Sequence, residues 1–222
     1  LTFLSVMEKE FLSARFKIRQ GSRMWLFAKA NASVDLEKWA RAFELKSMTL
    51  KGFYDLNLLL DGYYETGVLK RGFREVPDTV VTSIPKFELM TSLREGYFKL
   101  ASLPSAMEHI GFSMNAACPD SNYENIHVEL ENLKLEFLKN SVSGYFKLLS
   151  MKDMPVDISL KTSVNLAEIK NVVPLDSLEI AGQLEINAAI RGKYSPDKKL
   201  FPVSTVTFAL ANGLAHTTMY PN

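Results

Sequence analysis

Strict alternation of apolar and polar side chains over long stretches is the feature that most narrows what this chain can fold into. Leu50, Tyr54, Leu56, Leu58, Leu60 and Tyr64 occupy even positions, with Lys51, Asp55, Asn57 and Asp61 on odd ones. Leu178, Ile180, Leu184, Ile186, Ala188 and Ile190 repeat the pattern, separated by Glu179, Gln183, Glu185, Asn187 and Arg191. Shorter runs are Ile126-Val128-Leu130, Leu133-Leu135-Phe137, Ile158-Leu160 and Val206-Phe208-Leu210. Successive side chains of a strand point to opposite faces, so each run has one apolar and one wet face. Parallel strands, buried on both sides, would show continuous apolar runs instead. The expectation is therefore a mainly β chain of long amphipathic antiparallel strands. Two runs reach about twice the usual strand length.

Two segments leave this period. In Asp35 to Phe43, the apolar Leu36, Trp39, Ala40 and Phe43 recur at helical spacing behind a capping Asp35. In Asn165 to Val173, Leu166, Ile169 and Val173 form the stripe, Asn165 the cap and Pro174 the stop. Each predicts a short helix closing the end of a sheet.

The chain also repeats itself. Residues 33 to 64 match residues 163 to 194 without a gap, with nine identities in 32 positions. These include Leu36 with Leu166, Gly52 with Gly182, Asn57 with Asn187, Gly62 with Gly192 and Tyr64 with Tyr194. A shorter echo pairs Gly96-Tyr97-Phe98-Lys99-Leu100 with Gly144-Tyr145-Phe146-Lys147-Leu148. The expected organisation is one elongated β-repeat domain over 1–222, with copies near 3–64, 85–118 and 133–194. The middle copy carries the turn-forming Cys118-Pro119-Asp120-Ser121-Asn122 in place of a helix. A unit with one apolar face cannot bury it alone, so copies must line up edge to edge. The sheet that results can curve into a gutter or half-barrel, or pack as a sandwich. The matched glycines mark expected bends.

Composition excludes more than it assigns. Lys and Arg number 26 against 25 Asp and Glu, so no basic excess exists to neutralise phosphates and nucleic acid is not an expected partner. The apolar run Met24 to Ala28 is far short of the roughly 18 residues of a membrane-spanning helix. A single cysteine, Cys118, excludes an internal disulfide and reads as a small buried side chain. The chain starts at Leu1 without an initiator Met and is expected to be a piece of a longer protein.

Catalytic patterns are missing. No G-x-S-x-G elbow, P-loop, dinucleotide-binding glycine run or Cys-x-x-Cys pair occurs. His127, Glu129 and Glu131 share one face of a strand, but it is the face opposite Ile126, Val128 and Leu130, so polar alternation accounts for them. His109 and His216 stand alone. No enzyme activity, cofactor or metal is expected.

The segment from Asp157 to Lys193 resembles the AsmA-like family of Gram-negative cell-envelope proteins. The matching features are a strand ending in Val164-Asn165-Leu166, a short helix closed by Pro174, and a long strand punctuated by Gly182 and Gly192. The earlier copy, Ser33 to Gly62, departs from the pattern with Glu44 where the proline stands. The resemblance implies a periplasmic protein held at the inner membrane by an anchor outside this sequence, with a role in outer-membrane biogenesis. Its larger relatives look like bridge-type lipid carriers, which implies phospholipid or another envelope lipid, and the rest of its own chain, as partners. The groove candidates are Leu56, Leu58, Leu60, Ile158, Leu160, Leu178, Ile180, Leu184, Ile186 and Ile190. The competing expectation is a structural β-sandwich scaffold or interaction module with a closed core and no ligand, in which Leu56, Leu58, Leu184 and Ile186 are fully buried.

Overall fold

A computed structural model of the chain describes residues 2–7, 10–20, 23–45, 47–69, 78–169 and 178–217. The strands are β1 (Thr2–Met7), β2 (Glu10–Gln20), β3 (Met24–Asp35), β4 (Met48–Leu69), β5 (Asp78–Ser83) and β6 (Lys86–Leu100), followed by β7 (Met107–Cys118), β8 (His127–Phe137) and β9 (Asn140–Leu148), then β10 (Pro155–Asn165), β11 (Leu178–Lys193) and β12 (Val203–Thr217). Helix α1 (Leu36–Ala42) joins β3 to β4, and α2 (Leu166–Ile169) follows β10. The remainder of the second helix expected from sequence, with its Pro174 stop, lies outside the described residues.

All pairing among the described residues is antiparallel. Eleven strands follow one another across a single sheet in the order β1-β2-β3-β4-β6-β7-β8-β9-β10-β11-β12. β5 and β6 lie end to end along the same side of β4, pairing with residues 65–69 and 48–61. Between them Pro85 has no N–H to give the ladder, and the Ile84 N–H turns aside to the Ser121 carbonyl at 3.0 Å. Ten spacings of about 4.8 Å make a sheet roughly 48 Å wide, and the 22 residues of β4 reach about 70 Å if fully extended.

Within the described residues the sheet is one layer and does not close. Among the described residues, β1 pairs only with β2 and β12 only with β11. The chain exposes 15418 Å², whereas a compact monomer of 25.0 kDa exposes about 10,000 Å². An excess of that size is what an uncovered sheet produces. The buried apolar residues are correspondingly small: Ala28, Ala30, Ala32, Val34, Ala106, Ala116 and Cys118. Of the arrangements open from sequence, the face-to-face sandwich is not formed within the described residues.

Local chemistry explains where the helices and bends fall. Asp35 accepts hydrogen bonds from the Glu37 and Lys38 N–H groups at 2.9 and 3.4 Å, ending β3 and starting α1. Asn165 does the same for α2 through the Ala167 N–H at 3.1 Å. Gly52 and Gly182 lie at φ +118° and +123°, each facing a bulge in the next strand, Glu95-Gly96 and Asn212-Gly213. Gly62 and Gly192 lie at φ +149° and +137°, each against a proline, Pro85 and Pro202. Only glycine occupies such backbone without strain. Residues 130 apart thus take the same pairings: Ser33 opposite Asp55 becomes Ser163 opposite Glu185, and Leu58 opposite Leu89 becomes Ala188 opposite Val206.

The β8–β9 hairpin turns through Leu138 and Lys139, both left-handed at φ +51° and +60°. That two-residue geometry is the usual property of Asn-Gly. Lys139→Gly is expected to raise stability by about 1 kcal/mol in chemical denaturation, by relieving left-handed strain at an exposed position.

Candidate functional site

Strand register decides which side chains share a face, because paired residues point the same way. One row runs across nine strands through mutually paired residues: Leu12, Ala32, Leu56, Thr91, Met114, Leu130, Phe146, Ile158 and Ile190. Eight of the nine are apolar, and the hydroxyl of Thr91 donates to the Asp55 carbonyl at 2.9 Å. The adjacent row, one residue along, reads Ser13, Asn31, Asn57, Met90, Asn115, Glu129, Lys147, Asp157 and Arg191. Eight of these nine are polar. A single-residue step therefore crosses from an apolar face to a wet one over nearly the whole sheet.

Bulges preserve this sidedness where the sequence breaks step. Leu130 and Leu133 are three apart, yet both lie on the apolar face because Glu131-Asn132 bulges, with Asn132 at φ +55°. Leu93 and Gly96 of β6 are related in the same way through Glu95 at φ +54°.

Nine of the ten groove candidates fall on this one face. Leu56, Leu58 and Leu60 stand on β4 opposite Ala32, Ala30 and Ala28. Ile158 and Leu160 stand on β10 opposite Ile190 and Ala188, and Ile186 and Leu184 stand opposite Thr162 and Val164. Ile180 pairs with Ala215 across the next edge, and the side chain of Leu178 lies outside the described residues. Leu160 is exposed at 39%, and Leu56, Leu58, Leu184 and Ile186 are half-buried rather than enclosed. The face extends beyond the candidates chosen from sequence. Leu12, Ala32, Met114 and Phe146 belong to it, and the run Ile110, Phe112, Met114, Ala116, Cys118 carried the period that could have placed β7 there.

The opposite face is knitted by charges. Lys147 reaches Glu131 at 2.6 Å and Glu129 at 3.7 Å, and the hydrogen bond to Glu131 is the main cause that holds its ammonium above the ordinary lysine value. Arg191 reaches Asp157 at 3.1 Å, and the Tyr145 hydroxyl donates to the same carboxylate at 3.0 Å. Asp55 joins three strands, accepting from Ser33 at 2.7 Å and from Arg94 at 3.0 Å. Exposed ion pairs contribute about 0–1 kcal/mol each, so they set which face meets water more than they hold the sheet together. A cleft of about 400 Å³ is lined by Asp55, Asn57, Ser92, Ser113, Asn115 and Glu131 of this face and also by Leu56, Thr91 and Met114.

The remaining sequence candidates are placed as follows. His127 stands opposite Ala117 on the wet face, and among the described residues no group of three His, Cys, Asp or Glu is set to hold a metal ion. Cys118 is wholly buried, its thiol donating to the Asn122 carbonyl at 3.3 Å. His109 lies exposed near Glu136 at 3.9 Å, and His216 is exposed on β12 opposite Glu179. Among the described residues, no helix is long and apolar enough to cross a membrane. Neither protein-family models, curated proteins nor solved structures give a match to this chain.

Proposed function

We propose that this chain is a non-catalytic cell-envelope module of AsmA-like type, whose apolar sheet face handles lipid in outer-membrane biogenesis. In this reading it works in the periplasm, as part of a protein anchored at the inner membrane by segments outside this sequence. One observation carries the reading: an apolar row crosses nine strands of a sheet that has no second layer among the described residues. Soluble proteins rarely leave more than a few hundred Å² of contiguous apolar surface in water. An acyl chain suits such a floor because it needs no directional partner and gains about 0.8 kcal/mol for each methylene it buries.

The test is lipid extraction and native mass spectrometry of the 222-residue chain after bacterial expression. Phospholipid is expected to copurify at one or more molecules per chain, and to be lost on detergent washing with exposure of a dye-binding surface. A monodisperse, lipid-free chain that binds no apolar dye would instead favour a scaffold whose face is covered by protein.

A further inference from the structure

Two connections at one end of the sheet expose apolar side chains on a backbone that is bonded within the protein. β9 leads into β10 through residues 149–154, and β11 into β12 through residues 194–202. In the second, the Ser195 and Leu200 N–H groups each donate to the other's carbonyl at 3.0 Å. The Lys198 and Lys199 N–H groups donate to the Ser195 and Pro196 carbonyls at 3.1 and 3.0 Å. The first connection is pinned on both sides. Its Met151 and Lys152 N–H groups donate to the Glu124 carbonyl, and the Tyr194 N–H donates to the Met154 carbonyl at 3.1 Å. The Lys198 ammonium reaches both oxygens of Asp153, at 2.6 and 2.9 Å. Yet Phe201 is 67% and Leu149 58% exposed, and Met151, Tyr194 and Leu200 are exposed too. At the opposite end of the sheet, connections 101–106 and 138–139 expose no large apolar side chain.

We propose that connections 149–154 and 194–202 dock this end of the sheet on the surface of a phospholipid bilayer, with Leu149, Met151, Leu200 and Phe201 entering the interfacial layer. Interleaved with these apolar side chains are Lys152, Lys193, Lys198 and Lys199, all exposed, against Asp153 and Asp197. Aromatic and aliphatic groups among long-stemmed cations suit that layer: the rings sit at headgroup level and the ammonium groups reach the phosphates. The excess of lysines over aspartates complements an anionic surface. Backbone groups already bonded within the protein lower the cost of leaving bulk water. The patch also continues the apolar face of the sheet. Leu148 and Val156 stand at the two ends of connection 149–154, and on that face they pair with Val128 and Gly192. The docking extends the lipid reading by naming a bilayer as the source of the acyl chains, and the experiment below separates the two.

Flotation of the full chain with vesicles of phosphatidylethanolamine and phosphatidylglycerol tests the docking. The chain is expected to float with the vesicles, and Leu149→Ser combined with Phe201→Ser is expected to lower its partitioning at least about tenfold. Both positions are exposed, so the sheet itself should be unaffected. Phe43→Ser removes an exposed ring at the opposite end, on α1, and is expected to change nothing. Leu58→Asp with Ile186→Asp alters the sheet face and is expected to leave flotation intact. In a Cys118→Ser background, an environment-sensitive dye on Met151→Cys is expected to shift to the blue on vesicles, whereas one on Ser105→Cys is not. A chain that does not float, or that floats equally well with Leu149 and Phe201 replaced, would overturn the docking whether or not lipid copurifies. Self-association abolished by Phe201→Ser, without flotation, would overturn it too and assign the patch to a second copy of the chain.

Discussion

Gly52→Ala is expected to destabilise the sheet by about 3 kcal/mol, one of the largest effects of any single methyl group added to this chain. The backbone at Gly52 lies at φ +118°, where an L side chain is strained. A Cβ there would stand 2.8 Å from the Arg94 carbonyl and 2.9 Å from the Gly96 Cα. Both obstacles are backbone atoms of β6, so relief requires lifting β6 from β4 along the bulge. Gly182→Ala meets the same geometry, 2.9 Å from the Gly213 Cα and 3.0 Å from the Ala211 carbonyl, and the loss should be similar in kind. It should be smaller in its global consequence, because among the described residues no strand pairs beyond β12. Gly67→Ala is the control: its Cβ meets only the Thr82 methyl, which can rotate away, and a cost below about 1 kcal/mol is expected. Urea midpoints of the three variants decide the matter. Equal losses at Gly52 and Gly67 would contradict the bulge as the source.

The second large effect concerns lipid. Leu58→Asp combined with Ile186→Asp is expected to cut copurifying phospholipid by at least about tenfold while the sheet remains folded. Leu58 lies between Ala30 and Leu89, and Ile186 between Thr162 and Phe208, so the two carboxylates enter the same face in separate repeats. Because that face has no opposing layer among the described residues, each carboxylate can hydrate and the fold loses less than a closed core would. Asn57→Asp with Asn187→Asp puts the same charges one residue away on the wet face, and no change in bound lipid is expected. Circular dichroism establishes that both pairs are folded. Lipid retained by the folded Leu58/Ile186 pair would remove the basis for the lipid reading.

Sidedness was legible because it is local. Period two places Leu56, Leu58 and Leu60 on one face whatever their neighbours are, and the Asp35 cap announces α1 in the same way. Strand limits were less legible. β8 reads as two runs because the bulge at Glu131-Asn132 breaks the alternation, although one strand passes through it. The identical GYFKL segments show the limit of short motifs. The first ends the fifteen-residue β6 with Gly96 opposite Ile110, whereas the second lies in β9 after a tight turn, with Gly144 opposite Leu160. Five residues can set a face, but the neighbouring strand is chosen by turn geometry and bulges. Openness was not legible at all. Whether Leu184 meets a second sheet or solvent depends on residues far along the chain, and no local pattern encodes it.

The central claim is that acyl chains lie on one face of this sheet. Its most direct measurement is photocross-linking of the full chain to phospholipid vesicles whose acyl chains carry a diazirine, followed by mapping of the labelled residues. The expected labels fall on the parity of Leu58, Leu89, Met114, Phe146, Ile158 and Ile186, on several strands at once, and spare Asn57, Asn115, Lys147 and Asn187. Labels divided evenly between the two parities, or confined to the β12 edge, would contradict it.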